Sequence, residues 1–274
     1  MYRFAGVVLL LLPALPAAGA EDKSKDKPEE QYKSLVKQYQ ADLKDVKSFQ
    51  EQMTLAQDKY APKFLELAEK DPKDPAAVDA LVWVVQNVRG QRKDNPRDKA
   101  LAILTKDYAK SDKVGPVLQA LAYGYDKQNE LFLRAVLDQN PSRNLQGQAC
   151  LALAQNLKNR NSLLPRLEEQ PDFAKAIENA LGKDYLEYLK KLDPAKADKE
   201  VEELFERAEA KYADVKLPGG GTVGSRVKPE LFEIRHLAIG MKAPDIQGED
   251  IDGKKFKLSD YKGKVVLLDF WGNW

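Results

Sequence analysis

Cysteine and histidine are almost missing from this sequence: 274 residues hold one of each, Cys150 and His236. A single thiol excludes an internal disulfide, so the fold has to be held by its core. Cys150 lies in Gly147-Gln-Ala-Cys-Leu-Ala-Leu-Ala154, an apolar helix face with no basic neighbour to lower its pKa. It reads as a small buried residue and not as a reactive thiol. His236 has no second ligand or base nearby in sequence and reads as structural, with no metal or catalytic role. A surplus of charge is also lacking, since 44 Lys and Arg stand against 43 Asp and Glu. That balance leaves no electrostatic footprint for nucleic acid or an anionic membrane. Beyond the first twenty residues no apolar run approaches the roughly twenty needed to span a bilayer, so no transmembrane span is expected after those residues are removed.

Those first residues have the layout of a secretory signal: Arg3, an apolar centre from Val7 to Leu12, and the small residues Ala18-Gly19-Ala20 before Glu21. Residues 1–20 are therefore expected to direct export, periplasmic or secreted, and to be cleaved. Loss of Arg3 with them takes the formal charge from +1 to zero. Residues 21–28 form a polar leader whose mixed-sign run, Asp22-Lys-Ser-Lys-Asp-Lys27, reads as solvated.

What is present from residue 29 to 214 is helical periodicity. Tyr32, Leu35, Val36, Tyr39, Leu43, Val46 and Phe49 recur three or four apart, which predicts one long amphipathic helix. Lys63 to Lys70 predicts a second, closed by Asp71-Pro72. Then the chain repeats itself weakly. Pro75-Ala-Ala-Val-Asp-Ala-Leu-Val82 aligns with Gly115-Pro-Val-Leu-Gln-Ala-Leu-Ala122, and that with Gly147 to Ala154; Leu101, Ile103 and Leu104 align with Leu133, Ala135 and Val136. A spacing of about 32 to 40 residues with two helices each is the signature of an α-solenoid of the tetratricopeptide or HEAT kind. Further helices are predicted at 173–181, 183–192 and 199–212, the last capping the solenoid with Val201, Leu204, Phe205 and Ala208 as its apolar stripe. Trp83 and the tyrosines at 108, 123, 125, 185 and 188 are assigned to packing. A solenoid offers a concave surface on which a protein partner could sit.

Residues 215–230 read as a glycine and proline linker. Within it Gly219-x-Gly221-x-x-Gly224 matches the dinucleotide fingerprint formally, but a charged helix precedes it and the strand-like Leu231-Phe-Glu-Ile-Arg235 follows, so no nucleotide and no other cofactor is assigned. Past it, Asp245 to Leu258 predicts two short strands joined by a two-residue turn at Asp252-Gly253, and Ser259 or Asp260 caps a helical turn ended by Gly263. Lys264-Val-Val-Leu-Leu-Asp-Phe270 is apolar without alternation, which predicts a strand covered on both faces.

The runs Gly240-Met-Lys-Ala-Pro-Asp-Ile246, Asp252-Gly253 and Leu258-Ser-Asp-Tyr-Lys-Gly-Lys-Val-Val-Leu-Leu-Asp-Phe-Trp271 resemble the opening of a thioredoxin-like redoxin domain of the TlpA/ResA type, related to AhpC/TSA. The resemblance implies that Cys-x-x-Cys follows Phe-Trp-x-x-Trp, with protein thiols and disulfides as partners. It implies a proton-transfer role for Asp269 and site-flanking places for Trp271 and Trp274. The chain as given stops before that pair, through an incomplete gene model, a nonsense truncation or a selenocysteine codon. The expected architecture is mainly α: a helical-repeat domain over 29–214, the linker, and over 231–274 the first part of an incomplete α/β thioredoxin-like domain. The expected function is extracytoplasmic thiol–disulfide exchange, inactive in this chain for want of its cysteines. The alternative is a non-enzymatic helical scaffold with a vestigial redoxin remnant. A two-sided apolar strand with open edges is also expected to make the 274-residue chain less soluble than residues 21–215 alone.

Overall fold

The computed structural model describes residues 27–89, 95–238 and 240–272. The expected signal peptide and most of the leader lie outside them. Helices dominate, and the chain divides into two compact units, Met1–Arg89 and Gly90–Trp274.

The first unit holds α1 (Pro28–Asp42), α2 (Phe49–Thr54), α3 (Ala61–Lys70) and α4 (Pro75–Asn87). Pro75 opens α4 at the position where its missing N–H costs nothing, and the Asp74 carboxylate accepts from Ala76 N at 2.8 Å. The packing role assigned to Trp83 fits: its ring stacks on Phe64 with centroids 4.0 Å apart and takes Tyr39 edge-on at 4.9 Å. The single helix expected from Tyr32 to Phe49 is broken. After a 3-10 turn at Leu43–Asp45, Val46 is extended (φ −77°, ψ 127°). Ser48 then starts α2, its hydroxyl accepting from Glu51 N at 3.1 Å while Glu51 reaches back to Lys47 N at 2.8 Å. That reciprocal capping competes locally with helix continuation, whereas the apolar spacing runs on across the break.

The second unit begins with α5 (Pro96–Asp107), α6 (Gly115–Leu121), α7 (Lys127–Gln139) and α8 (Arg143–Asn161). α5 packs on α7, α6 on α8, and α7 on α8. The residues aligned at the 32-residue offset do the same work in both hairpins. Leu101 and Leu133, Leu104 and Val136, Val117 and Ala149, Leu118 and Cys150, and Leu121 and Leu153 are all buried. Ile103 is only partly covered where Ala135 is buried. Buried asparagines close the helix ends. Asn156 donates to the carbonyls of Leu121 at 2.9 Å and Gly124 at 2.6 Å, and Asn140 donates to those of Ala109 at 2.8 Å and Ser111 at 3.0 Å.

Beyond α8, three shorter helices, α9 (Leu164–Glu169), α10 (Pro171–Leu181) and α11 (Lys183–Lys190), share a small core of Leu163, Leu164, Ile177, Leu186 and Leu189. α12 (Pro194–Tyr212) buries Val201, Leu204, Phe205 and Ala208 as its periodicity predicts. It is not the cap, however. It packs against α8 and is followed by α13 (Val223–His236), which packs on it in turn.

α13 corrects both the linker and the strand-like stretch at 231–235. The glycine run closes into a tight turn: Lys216 pairs with Thr222, Leu217 N donates to Gly221 O at 3.1 Å, and Gly220 and Gly221 take φ of +88° and +77°. Thr222 and Ser225 then form a capping box. Val223, Val227 and Leu231 are buried at a spacing of four, and Gly224 lies so close to α12 that a Cβ would stand 2.9 Å from that of Ala213. This burial outweighs Pro229 inside the helix. Arg235 pairs with Glu202 at 3.0 Å and with Glu206, and Lys158 with Glu230 and Glu233 at 2.7 and 2.8 Å. From sequence alone no helix is expected to leave the Gly219-x-Gly221-x-x-Gly224 loop. One does leave it, but α12 and not a strand feeds it, so the fingerprint's context is still absent. No helix among the described residues is long and apolar enough to cross a membrane.

Candidate functional site

The C-terminal segment is built around a small hairpin, β1 (Gln247–Glu249) with β2 (Lys255–Lys257), antiparallel in the register Gln247 to Lys257. The expected two-residue turn is a longer loop over 250–254. Asp250 holds it, its carboxylate accepting from Asp252 N at 3.0 Å and Lys254 N at 2.9 Å, and Gly253 supplies φ +77°. Asp245 ties the hairpin to the next turn by accepting from Ser259 N at 2.8 Å and Ser259 Oγ at 3.0 Å, bonds that lower its pKa. Leu258–Tyr261 forms the predicted helical turn, as 3-10, and Gly263 takes φ +84° after it.

The expected buried strand is not formed. From Val265 to Gly272 the chain carries no helix or strand, and its apolar side chains are open: Val265 is 104% exposed, Leu267 92% and Phe270 84%. A strand with two apolar faces is covered only within a sheet that has helices packed on both sides, and β1 and β2 are the only strands among the described residues. Asp269 is exposed and Trp271 is 82% exposed; Trp274 lies outside the described residues. Among the described residues, Asp269 and Trp271 are thus placed in sequence but not brought together into a site. Removal of the residues after Ala238 is expected to raise solubility and to lower binding of an apolar dye, because this exposed patch goes with them. Equal dye binding by the two chains would refute it.

Cys150 stands as its sequence surroundings predict, whereas His236 lies on a helix and not in a strand. Cys150 is fully buried, its Sγ 3.4 Å from Leu204 O, and burial pushes the thiol up to about 11 despite Arg207 and Lys211. A thiolate is therefore not on offer there. His236 closes α13 with its ring 4.9 Å from that of Phe232. Among the described residues no cluster of His, Cys, Asp and Glu could hold a metal ion.

Two polar clusters of the helical region escaped sequence reasoning. In one, Glu130 receives Arg160 Nη1 at 3.0 Å, Tyr188 Oη at 2.8 Å and Arg134 at 2.8 Å; Arg160 also donates to Tyr188 Oη and to Asn161, which donates to Asp198. Glu130 and Arg134 are four apart and legible as a pair. Arg160 and Tyr188 join from 30 and 58 positions away, which only the packing of α7, α8 and α11 decides. In the other, Asp126 caps α7 and meets Asp98 in the first turn of α5, with Arg97 3.9 Å from Asp126. Burial, then the bond to Asp126 and its charge, push the Asp98 carboxyl up to about 7 against the pull of Arg97. Because this folded value lies above the unfolded one, the protonated carboxyl stabilises the fold at low pH, and that contribution is lost as pH rises toward and through 7. Between pH 5 and 8 the wild type should lose about 1 kcal/mol more than Asp98→Asn, a figure discounted for partial exposure. Parallel urea profiles for the two proteins would refute it.

Residues 239–274 match the AhpC/TSA family, a resemblance of the C-terminal segment to part of a thioredoxin-like redoxin sequence. The particular relatives are thiol-disulfide oxidoreductases named ResA. The protein from Geobacillus thermodenitrificans is 47% identical over 38 residues, 14% of this chain and 22% of that protein. The one from Bacillus subtilis is 54% identical over 38 residues, 14% of this chain and 21% of its own length. A Bacillus thuringiensis relative is 42% identical over 55 residues, 20% and 32% of the two chains. The chain thus spans about a fifth to a third of these relatives. No solved structure matches it.

Proposed function

We propose that this is an exported thiol–disulfide oxidoreductase with a helical-repeat domain ahead of its redoxin domain. The match of residues 239–274 to the AhpC/TSA family, with ResA proteins as relatives, is the observation that carries the reading. In it, residues 1–20 are a cleaved signal, 21–28 a leader, 29–214 a helical-repeat domain whose clearest hairpins are α5 to α8, and the segment from residue 240 the opening of an α/β domain. The order of α5 to α8 and their burial at a 32-residue offset support the solenoid. Protein thiols and disulfides are the partners, and exchange runs through a mixed disulfide.

Residues 1–274 hold no thiol fit for this chemistry, since Cys150 is buried with a raised pKa. The redox pair belongs after Trp274, where the start of a helix would stabilise the attacking thiolate. Asp269, just ahead of it, would then pass a proton to or from the resolving cysteine once a completed sheet covers it. The test is a disulfide-reductase assay on the chain continued through a Cys-x-x-Cys helix and the rest of a redoxin domain. Turnover that disappears on changing either cysteine to serine is expected, with none from residues 1–274. A continued chain that folds and stays inert would leave the helical scaffold with a vestigial remnant as the better account, and peroxide consumption would move the reading to peroxidase chemistry. Sequencing the exported protein checks the signal, with Glu21 as the expected first residue.

A further inference from the structure

α8 packs against α6, α7, α12 and α13, and one strip of it is left facing outward. Gln148, Leu151, Ala152 and Gln155 line this strip at the i, i+3, i+4, i+7 spacing of one helix stripe. Leu151 and Ala152 are 5% and 3% exposed and make an apolar floor, with a half-buried glutamine at each end. Gln119 and the 68%-exposed Tyr123 stand on the α6 side, and Arg226 of α13 with Pro218 of the closed turn on the other.

Three features of this groove select its occupant. Its volume is about 100 Å³, well under the 300–1,000 Å³ of small-molecule pockets, so it suits a chain laid across it and not a compact ligand. Gln119, Gln148 and Gln155 have no side-chain hydrogen-bond partner among the described residues, and each primary amide can donate and accept at once, as a peptide bond requires. Gln148 and Gln155 are seven residues apart on one helix, about 10 Å at 1.5 Å per residue, which is about three residues of extended chain. The third feature is charge. Arg226 is exposed and has no ion-pair partner among the described residues, unlike Arg143, Lys158 and Arg235, which pair with Asp214, Glu230 and Glu202.

We propose that the groove between α6, α8 and α13 binds an extended polypeptide segment, with the glutamine amides on its backbone, an apolar side chain on Leu151 and Ala152 beside Tyr123, and an acidic side chain on Arg226. The site makes the helical region a docking surface for protein, and it stands independently of the redox reading, because no step of the binding involves sulfur.

The test is fluorescence polarisation on the full 274-residue protein with labelled, end-blocked nonapeptide pools, one acidic and apolar, one basic and apolar, and with succinate as competitor. The acidic pool is expected to bind at least about tenfold more tightly than the basic one, and Arg226→Glu to reverse that order. Gln148→Ala with Gln155→Ala should weaken binding about tenfold with unchanged circular dichroism and melting. Equal binding of both pools, an order insensitive to Arg226→Glu, or full displacement by millimolar succinate, which would mark a bare anion site, would each overturn the proposal.

Discussion

Replacing Glu130 with leucine is expected to cost the second unit about 3–5 kcal/mol in urea unfolding, the range for stripping one partner from a buried ion pair. Arg160, 4% exposed, would keep its charge and lose its carboxylate, while the more open Arg134 would still hold Glu200 at 2.7 Å. The informative companion is the double variant Glu130→Leu with Arg160→Met. Removing both charges together also removes the desolvation cost, so the double should be markedly more stable than Glu130→Leu alone. A double variant as unstable as the single would show that the pair is not the source of the loss. The sign with pH follows from Glu130. Burial on its own raises its carboxyl, but the bonds from Arg134 and Tyr188 and the two guanidinium charges bring it below its ordinary value. Its stabilisation is therefore full above the unfolded carboxylate range and lost as pH falls through the folded value, so the gap between wild type and Glu130→Leu should narrow under acid.

Gly147→Leu should be nearly as damaging, at about 3 kcal/mol or somewhat more, near the upper end for an overpacked site. Gly147 is where α8 meets the end of α12: a Cβ there would lie 2.9 Å from Tyr212 Cβ and 3.0 Å from a methyl of Val215. Alanine in place of a mid-helix glycine ordinarily stabilises by about 1 kcal/mol. At this crossing the backbone-anchored contact has to open first, so Gly147→Ala is expected to lose stability instead. A melting temperature that rises for Gly147→Ala would mean that the two helices can part at little cost.

Periodicity exposed most of the helical region because burial follows it. The stripes of α3 and α12 recur at three and four, α4 and α8 are buried almost all round, and the aligned apolar residues of α5 to α8 occupy matching places in the core. It failed where a short-range hydrogen bond decides the matter. Ser48 with Glu51 starts a new helix inside an unbroken apolar pattern, and Thr222 with Ser225 opens α13 where glycines and Pro229 suggested a linker and a strand. The C-terminal segment was legible in another way. Its motif resembles the AhpC/TSA family that residues 239–274 match, but the coverage of Val265 to Phe270 depends on strands that the described residues do not include. The ionic cluster at Arg160 and the carboxyl pair at Asp98 were hidden because their members are brought together by packing and not by spacing.

The folding of 217–222 into a closed turn sets the leash on which any redox centre would travel. Had the glycines been loose, the whole stretch from 217 could have swung. With α13 locked to α12 and α8, only residues 237–246 lie between its last residue and β1. Ten residues fully stretched reach about 35 Å, so on the proposed reading a redoxin domain continuing beyond them would reach disulfides within about that distance of the end of α13, and a longer tether spliced in at Ala238 would widen that territory.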